Sequence, residues 1–315
     1  MQGPEIIDMH VHLCRDSQQE QVVFPKRGWP EEWYWGSPDR VLPYMDARNI
    51  SHVATMNVID TKRMVDQRIN RAHAQGASQQ EVDEARVTLQ DDMRERVRSF
   101  NTSLLEAAQR EPRIITYAYA NPVLFGDETM DELERCIGLG APGIKVHPSI
   151  SAHYPDHPTM MQVYERCQEA GLGVLSDSRG EHGGDDFGMP RGWTKVLQTF
   201  PHLKFIMAHL VDEMWDDRLE MAAEFKDNLW FDIAGGLVDE RHPAGGHACM
   251  PAVQAARVFR KVGIERVLFG TDAPSGGAGR DILDCANQVI GLELTEAEKE
   301  QILSGNAKQF LGLKQ

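Results

Sequence analysis

The sequence predicts an α/β fold, a (β/α)8 TIM barrel with a helical insertion after its second strand. Three observations lead there. Short apolar runs alternate with helical patterns almost to the end of the chain. Several helical segments stop in Gly just past their last apolar position, a common helix end. The 315 residues, 41% of them hydrophobic, suit one large barrel with a substantial core. A doubly wound open sheet is the competing arrangement, and it loses because no Gly-rich fingerprint follows the first strand.

The eight expected strands are, in order, "EIIDMHV", "SHVATMNV", "RIITYAYA", "GIKVH", "LGVLSD", "LKFIMAH", "LWFDIAG" and "RVLFGTD". Between them lie helix-like stretches such as "TMDELERCIGLG", "TMMQVYERCQEAG", "WTKVLQTF" and "VQAARVFRKVG". One segment is extra. Residues 61–110 are charged and helical but broken at "QGAS", where Ser78 and Glu81 have the spacing of a capping box. The expectation is an inserted helical hairpin, either solvated or facing a second subunit. No linker suggests a second domain, so residues 1–315 are expected to form one barrel domain.

The net charge is −15 and the acidic residues are spread along the chain. That balance argues against nucleic-acid and anionic-membrane partners and leaves a small-molecule substrate. No apolar stretch approaches membrane-spanning length, and no basic region followed by a hydrophobic one opens the chain, so a cytoplasmic protein is expected. Self-association into a homo-oligomer is left open. Five scattered cysteines without a CxxC suggest neither a zinc knuckle nor a disulfide framework.

In an extended strand, residues two apart share a face, so His10 and His12 of "IIDMHVHL" would project together, with Asp8 one step earlier. One such pair decides nothing. The other strand ends add Asn57, Lys145 with His147, Asp177, His209, Asp232 and Asp272. Chemistry in a barrel belongs at these C-terminal strand ends, and imidazole and carboxylate groups converging there suit a divalent cation. Plainer readings stand beside this one. Asp272 could cap a helix ahead of Pro274, and His209 could be a satisfied core histidine. Lys145 and His147 sit where Pro148 takes the chain out of its strand. Asp232 reads as an orienting residue more than a ligand.

His153 and His157 have metal-helix spacing, but Pro155 and Pro158 exclude a helix between them. "SGGAGR", after Asp272, is a weak anion loop without P-loop spacing. Trp29, Trp33, Tyr34 and Trp35 could cover a flat substrate or serve packing or a subunit contact. Arg179 is placed to fork a substrate carboxylate.

Together these residues resemble the amidohydrolase superfamily, in its amidohydrolase-2 branch of aminocarboxymuconate-semialdehyde decarboxylase-like metal-dependent hydrolases. "IIDMHVHL", "GIKVHP", "FPHLKFIMAHL", "GIERVLFGTDAP" and the closing "LTEAEKEQILSGNAKQFLGL" carry the likeness over nearly the whole chain. The resemblance implies His10, His12 and Asp272 as ligands of a divalent metal, Zn2+ first and Mn2+ second. It implies His209 and Asp272 as catalytic residues, with Arg179, Lys145 and His147 left for substrate binding. One departure stands out. The family's fifth strand ends in a histidine that completes the metal site, and Asp177 occupies that place here. Aspartate can ligate such metals through oxygen, so Asp177 is expected as the further ligand; the alternative is a metal weakly held or absent, with Asp177 serving another purpose. Two reactions fit. A metal-activated water could attack an amide, lactone or ester, with Asp272 taking its proton and His209 polarising the carbonyl. The alternative is a non-oxidative decarboxylase or other C–C lyase, with His209 and Asp272 managing protonation. Hydrolysis is favoured by analogy across the superfamily.

Overall fold

The computed structural model describes residues 3–23, 35–182, 185–212, 214–235, 250–274 and 281–314. A strand stands at each of the eight expected stretches: β1 (Ile6–Val11), β2 (Ile50–Met56), β3 (Ile114–Tyr119), β4 (Gly143–Val146), β5 (Gly173–Ser176), β6 (Lys204–Met207), β7 (Leu229–Asp232) and β8 (Val267–Leu268). Each pairs in parallel with the next. The ring closes between its first and last strands. Met9 N–H donates to the Phe269 carbonyl, Asp272 N–H to the His10 carbonyl and His12 N–H to the Ala273 carbonyl, each at 2.8 Å. This is the (β/α)8 barrel the sequence predicts, with helices between the strands.

Period-two alternation sorts the strands' apolar residues into two layers. Ile7, Met9, Ala54, Met56, Tyr117, Leu175, Ile206 and Leu268 meet inside the ring, with Phe310 of the final helix against them. Their neighbours Ile6, Val53, Ile144, Val174, Phe205, Phe231 and Val267 pack outward against the helices. β1 breaks the alternation once. It spends three steps, Asp8 to Val11, where β2 spends two, Val53 to Thr55. Met9 is therefore in the inner layer, while Val11 joins the outer one and His10 takes up a position over the inner space.

The expected hairpin is present as helices Thr61–Ala74 and Gln79–Arg110, and Ser78 and Glu81 make both bonds of the capping box. Its inner face is apolar. Val65 and Ile69 pack with Val82, Met93 and Val97 against Tyr119, Leu124 and Phe125, so the hairpin leans on the end of β3. Trp35 is buried and stacked on Tyr44 at 4.7 Å, which makes it a packing residue. Trp29, Trp33, Tyr34 and the "SGGAGR" stretch lie outside the described residues. Cys14, Cys136, Cys167 and Cys285 are buried thiols outside any disulfide. Among the described residues, no helix is long and apolar enough to cross a membrane.

Gly143, at the start of β4, marks the tightest approach in the ring. A Cβ there would stand 2.3 Å from the Gly173 carbonyl oxygen and 2.4 Å from Tyr117 Cε1. We expect Gly143→Ala to lower unfolding stability by about 1–3 kcal/mol through overpacking. Gly138→Ala, where a Cβ meets nothing within 4 Å, should not lower it. Urea denaturation midpoints of the two variants check this, and equal midpoints would remove the steric argument.

Candidate metal and catalytic centre

His10 is buried, and both its ring nitrogens face charged groups. Nδ1 lies 2.9 Å from Asp232 Oδ2, and Nε2 lies 3.3 Å from Lys145 Nζ. The carboxylate fixes the proton on Nδ1, which leaves the Nε2 lone pair directed at the centre. Burial, with the nearby Lys145 charge, pushes the His10 pKa down to about 3, so the ring is neutral, the form that binds metals. Burial also lowers the Lys145 pKa. Gly270 allows β8 to come this close. A Cβ on it would sit 3.0 Å from His10 Cβ and 3.4 Å from Asp232 Cβ.

His12 repeats the arrangement with a backbone partner. Its Nδ1 donates to the Met56 carbonyl at 2.8 Å, and Nε2 meets Asp272 Oδ1 at 2.8 Å. The same oxygen lies 3.7 Å from His10 Nε2. One ligand atom from each of His10, His12 and Asp272 thus falls within 4.8 Å of the others. Two imidazole nitrogens and one carboxylate oxygen, with both rings pinned from behind, form a donor set that fits a divalent ion. Burial alone would raise the Asp272 pKa, but His12, His10 and Arg179 beside it hold it well below the usual carboxylate range.

The opposite side of the centre belongs to β5 and β6. Asp177 is buried, and its Oδ2 lies 3.1 Å from Arg179 Nε, 3.1 Å from His209 Nε2 and 3.6 Å from His147 Nε2. Burial would raise its pKa, yet His147, His209 and Arg179 keep it well below the normal value. The Arg179 guanidinium reaches across, with Nη2 donating to Asp272 Oδ2 at 3.0 Å. The His209 ring is fully buried beside His10, with centroids 5.2 Å apart. Its Nε2 is close to Asp177 but has no well-aligned hydrogen bond among the described residues. Asp232 Oδ1 accepts from the backbone N–H of His209 and of Ala234 at 2.9 and 3.0 Å. Both His209 and Asp272 have left-handed backbones, at φ +66° and +61°. Such non-glycine geometry costs energy and turns each side chain out of its strand's alternation.

His10, His12, Lys145, His147, Asp177, Arg179, His209 and Asp272 border one cluster. Asp232 orients its neighbours, as read. Asn57 Nδ2 is buried without a partner among the described residues. Asp8 departs from the alternation argument. Its carboxylate bonds the His10 and Thr271 N–H groups and the Thr271 hydroxyl, bolting β1 to β8 away from the three donors. The bulge in β1 causes the difference. His157 caps the helix Pro158–Ala170, and His153 Nδ1 donates to the Tyr154 carbonyl. Two neighbours were not legible in the sequence. Asp212 lies 3.9 Å from Arg179, and buried Arg218 donates to the Ser178 carbonyl.

The family pattern described as Amidohydrolase matches residues 7–313. A 2-amino-3-carboxymuconate-6-semialdehyde decarboxylase of Dictyostelium discoideum is 23% identical over 253 residues, 68% of this chain and 65% of the relative, so the match spans less than two thirds of that protein's length. A dihydroxybenzoic acid decarboxylase from Polaromonas sp. JS666, solved with bound manganese and the inhibitor 2-nitroresorcinol, is 18% identical at TM-score 0.61, covering 100% of this chain and 98% of its own. A probable 2-pyrone-4,6-dicarboxylic acid hydrolase from Acinetobacter baumannii is 15% identical at TM-score 0.60, covering 98% and 99%. At those identities the two structures speak for the fold. The family pattern covers nearly all of the sequence, and the chain belongs to the amidohydrolase family.

Asp232 supplies a test of the centre. Asp232→Asn should keep the fold but loosen divalent-metal binding by about 10–100-fold, since it frees the His10 ring from behind. Competition against a chromophoric chelator reads this directly. Unchanged affinity would mean that His10 is not held for a metal.

Proposed function

From membership of that family, we propose that the chain is a non-oxidative decarboxylase of a small unsaturated or aromatic carboxylic acid. A divalent ion, Zn2+ or Mn2+, would be held by His10, His12 and Asp272. The observation that carries this reading is the three-donor cluster, buried at His10 and Asp272 and partly so at His12, with His209 Nε2 directed beside it and lacking an aligned partner among the described residues. The Dictyostelium relative, named as a decarboxylase, supports it. Hydrolysis, the reaction favoured from sequence alone, keeps only the fold-level likeness to the probable hydrolase.

When bound, the ion would supply positive charge for the substrate's anionic oxygens. The remaining work falls to the chain's own side chains. A guanidinium offers five N–H groups, and Arg179 spends two of its side-chain donors on Asp177 and Asp272. We assign others to a substrate carboxylate, with Lys145 and His147 lining the same space. As the C–C bond breaks, its electron pair stays on the substrate carbon and CO2 departs. That carbon then takes a proton held at His209 Nε2, and solvent restores it. Asp232, through the His209 N–H, and Asp177, through its ring, set where that proton stands.

The test is a panel of aromatic and unsaturated acids, labelled with 13C at the carboxyl group, incubated with metal-loaded protein in D2O. We expect labelled CO2 and one deuterium at the carbon that lost it. Ring opening or ester cleavage with 18O uptake from water, and no CO2, would replace this reading by hydrolysis. His209→Asn should keep its metal and its fold while turnover falls by roughly 10²-fold or more. Near-normal turnover in that variant would remove His209 from the chemistry.

A further inference from the structure

We infer that Arg179 is a resident counter-cation that keeps Asp177 off the metal, so the centre binds its ion through three protein donors rather than four. The inference rests on the metal reading above and replaces the expected role of Asp177 as a ligand. Both oxygens of Asp177 are engaged by Arg179, Oδ1 by the backbone N–H at 3.3 Å and Oδ2 by Nε at 3.1 Å. Asp272 divides its oxygens in a corresponding way. Oδ1 faces the two imidazoles and Oδ2 takes Arg179 Nη2. One guanidinium is thus wedged between two buried carboxylates, on the side from which β5 would have to contribute a ligand.

The backbone holds it there. Ser178 Oγ donates to the Ala208 carbonyl at 2.9 Å, and Arg218 grips the Ser178 carbonyl. Gly180 follows in a left-handed conformation, φ +94°, with Met214 Sδ only 2.5 Å from where a Cβ would be. Aspartate and arginine two residues apart form a local, pre-set pair. Two buried carboxylates without a shared cation would be strongly unfavourable, which gives the pair a physical reason.

The experiment is a double-mutant cycle on Zn2+ and Mn2+ affinity, read by chelator competition and so independent of turnover. Asp177→Asn should change affinity by less than about threefold. Arg179→Met, which releases Asp177 and removes a positive charge, should tighten binding by about tenfold or more. The double variant should return most of that gain. A tenfold loss in Asp177→Asn, or no gain in Arg179→Met, would overturn the inference. A second arm uses chelator-treated protein. There Arg179→Met should lower the thermal midpoint by roughly 5 °C, and adding Asp177→Asn should recover part of it. If the wild-type chain takes up no metal, the metal reading falls, and this arm decides Arg179 alone. An unchanged midpoint there would end its role as a shared counter-cation.

Discussion

The centre depends first on one buried carboxylate. Asp232, at the end of β7, accepts from the His10 ring with one oxygen and from two backbone N–H groups, those of His209 and Ala234, with the other. Burial would raise its pKa, but the His10 ring and the backbone hydrogen bonds hold it down at about 2. A charge is tolerated in the interior only when it is paired and hydrogen-bonded. Here the same pairing joins three strands, because β7 fixes a ring on β1 and the turn at which β6 leaves the sheet. His10 could not aim its Nε2 inward, nor His209 hold its left-handed backbone, without that anchor.

Close approach is the second condition. Gly270 lets β8 touch β1, and the extra residue in β1 turns His10 over the inner space. Neither feature is chemical, yet both decide which side chains meet. Asp8 illustrates the point. One place before the bulge, its carboxylate serves as a bolt between strands and not as part of the donor cluster.

Much of this could be read in advance. Short apolar runs and the helices between them announce the barrel, and a run ending in His or Asp marks a strand end facing the site. The Ser78–Glu81 spacing located a helix start because capping is a local interaction. What could not be read depends on register and on contacts between distant segments. Strict alternation cannot see a bulge, so Asp8 was grouped with His10. No spacing rule joins Arg179 to an aspartate 93 residues away, or Arg218 to the Ser178 carbonyl. Asp177 could be noticed as an unusual residue in its place, but its neighbours emerge only when β4, β5 and β6 are side by side.

The seam between β1 and β8 has a consequence for how the molecule comes into being. His10 and His12 leave the ribosome some 260 residues ahead of Asp272. At synthesis rates of about 5–20 residues per second, the histidines wait tens of seconds for their carboxylate partner. Throughout that interval they have neither the closing hydrogen bonds of the ring nor the oxygen that unites them. A nascent or truncated chain can therefore collapse and form much of its sheet while still lacking the centre. Uptake of an ion by all three donors would report the joining of β1 to the end of β8.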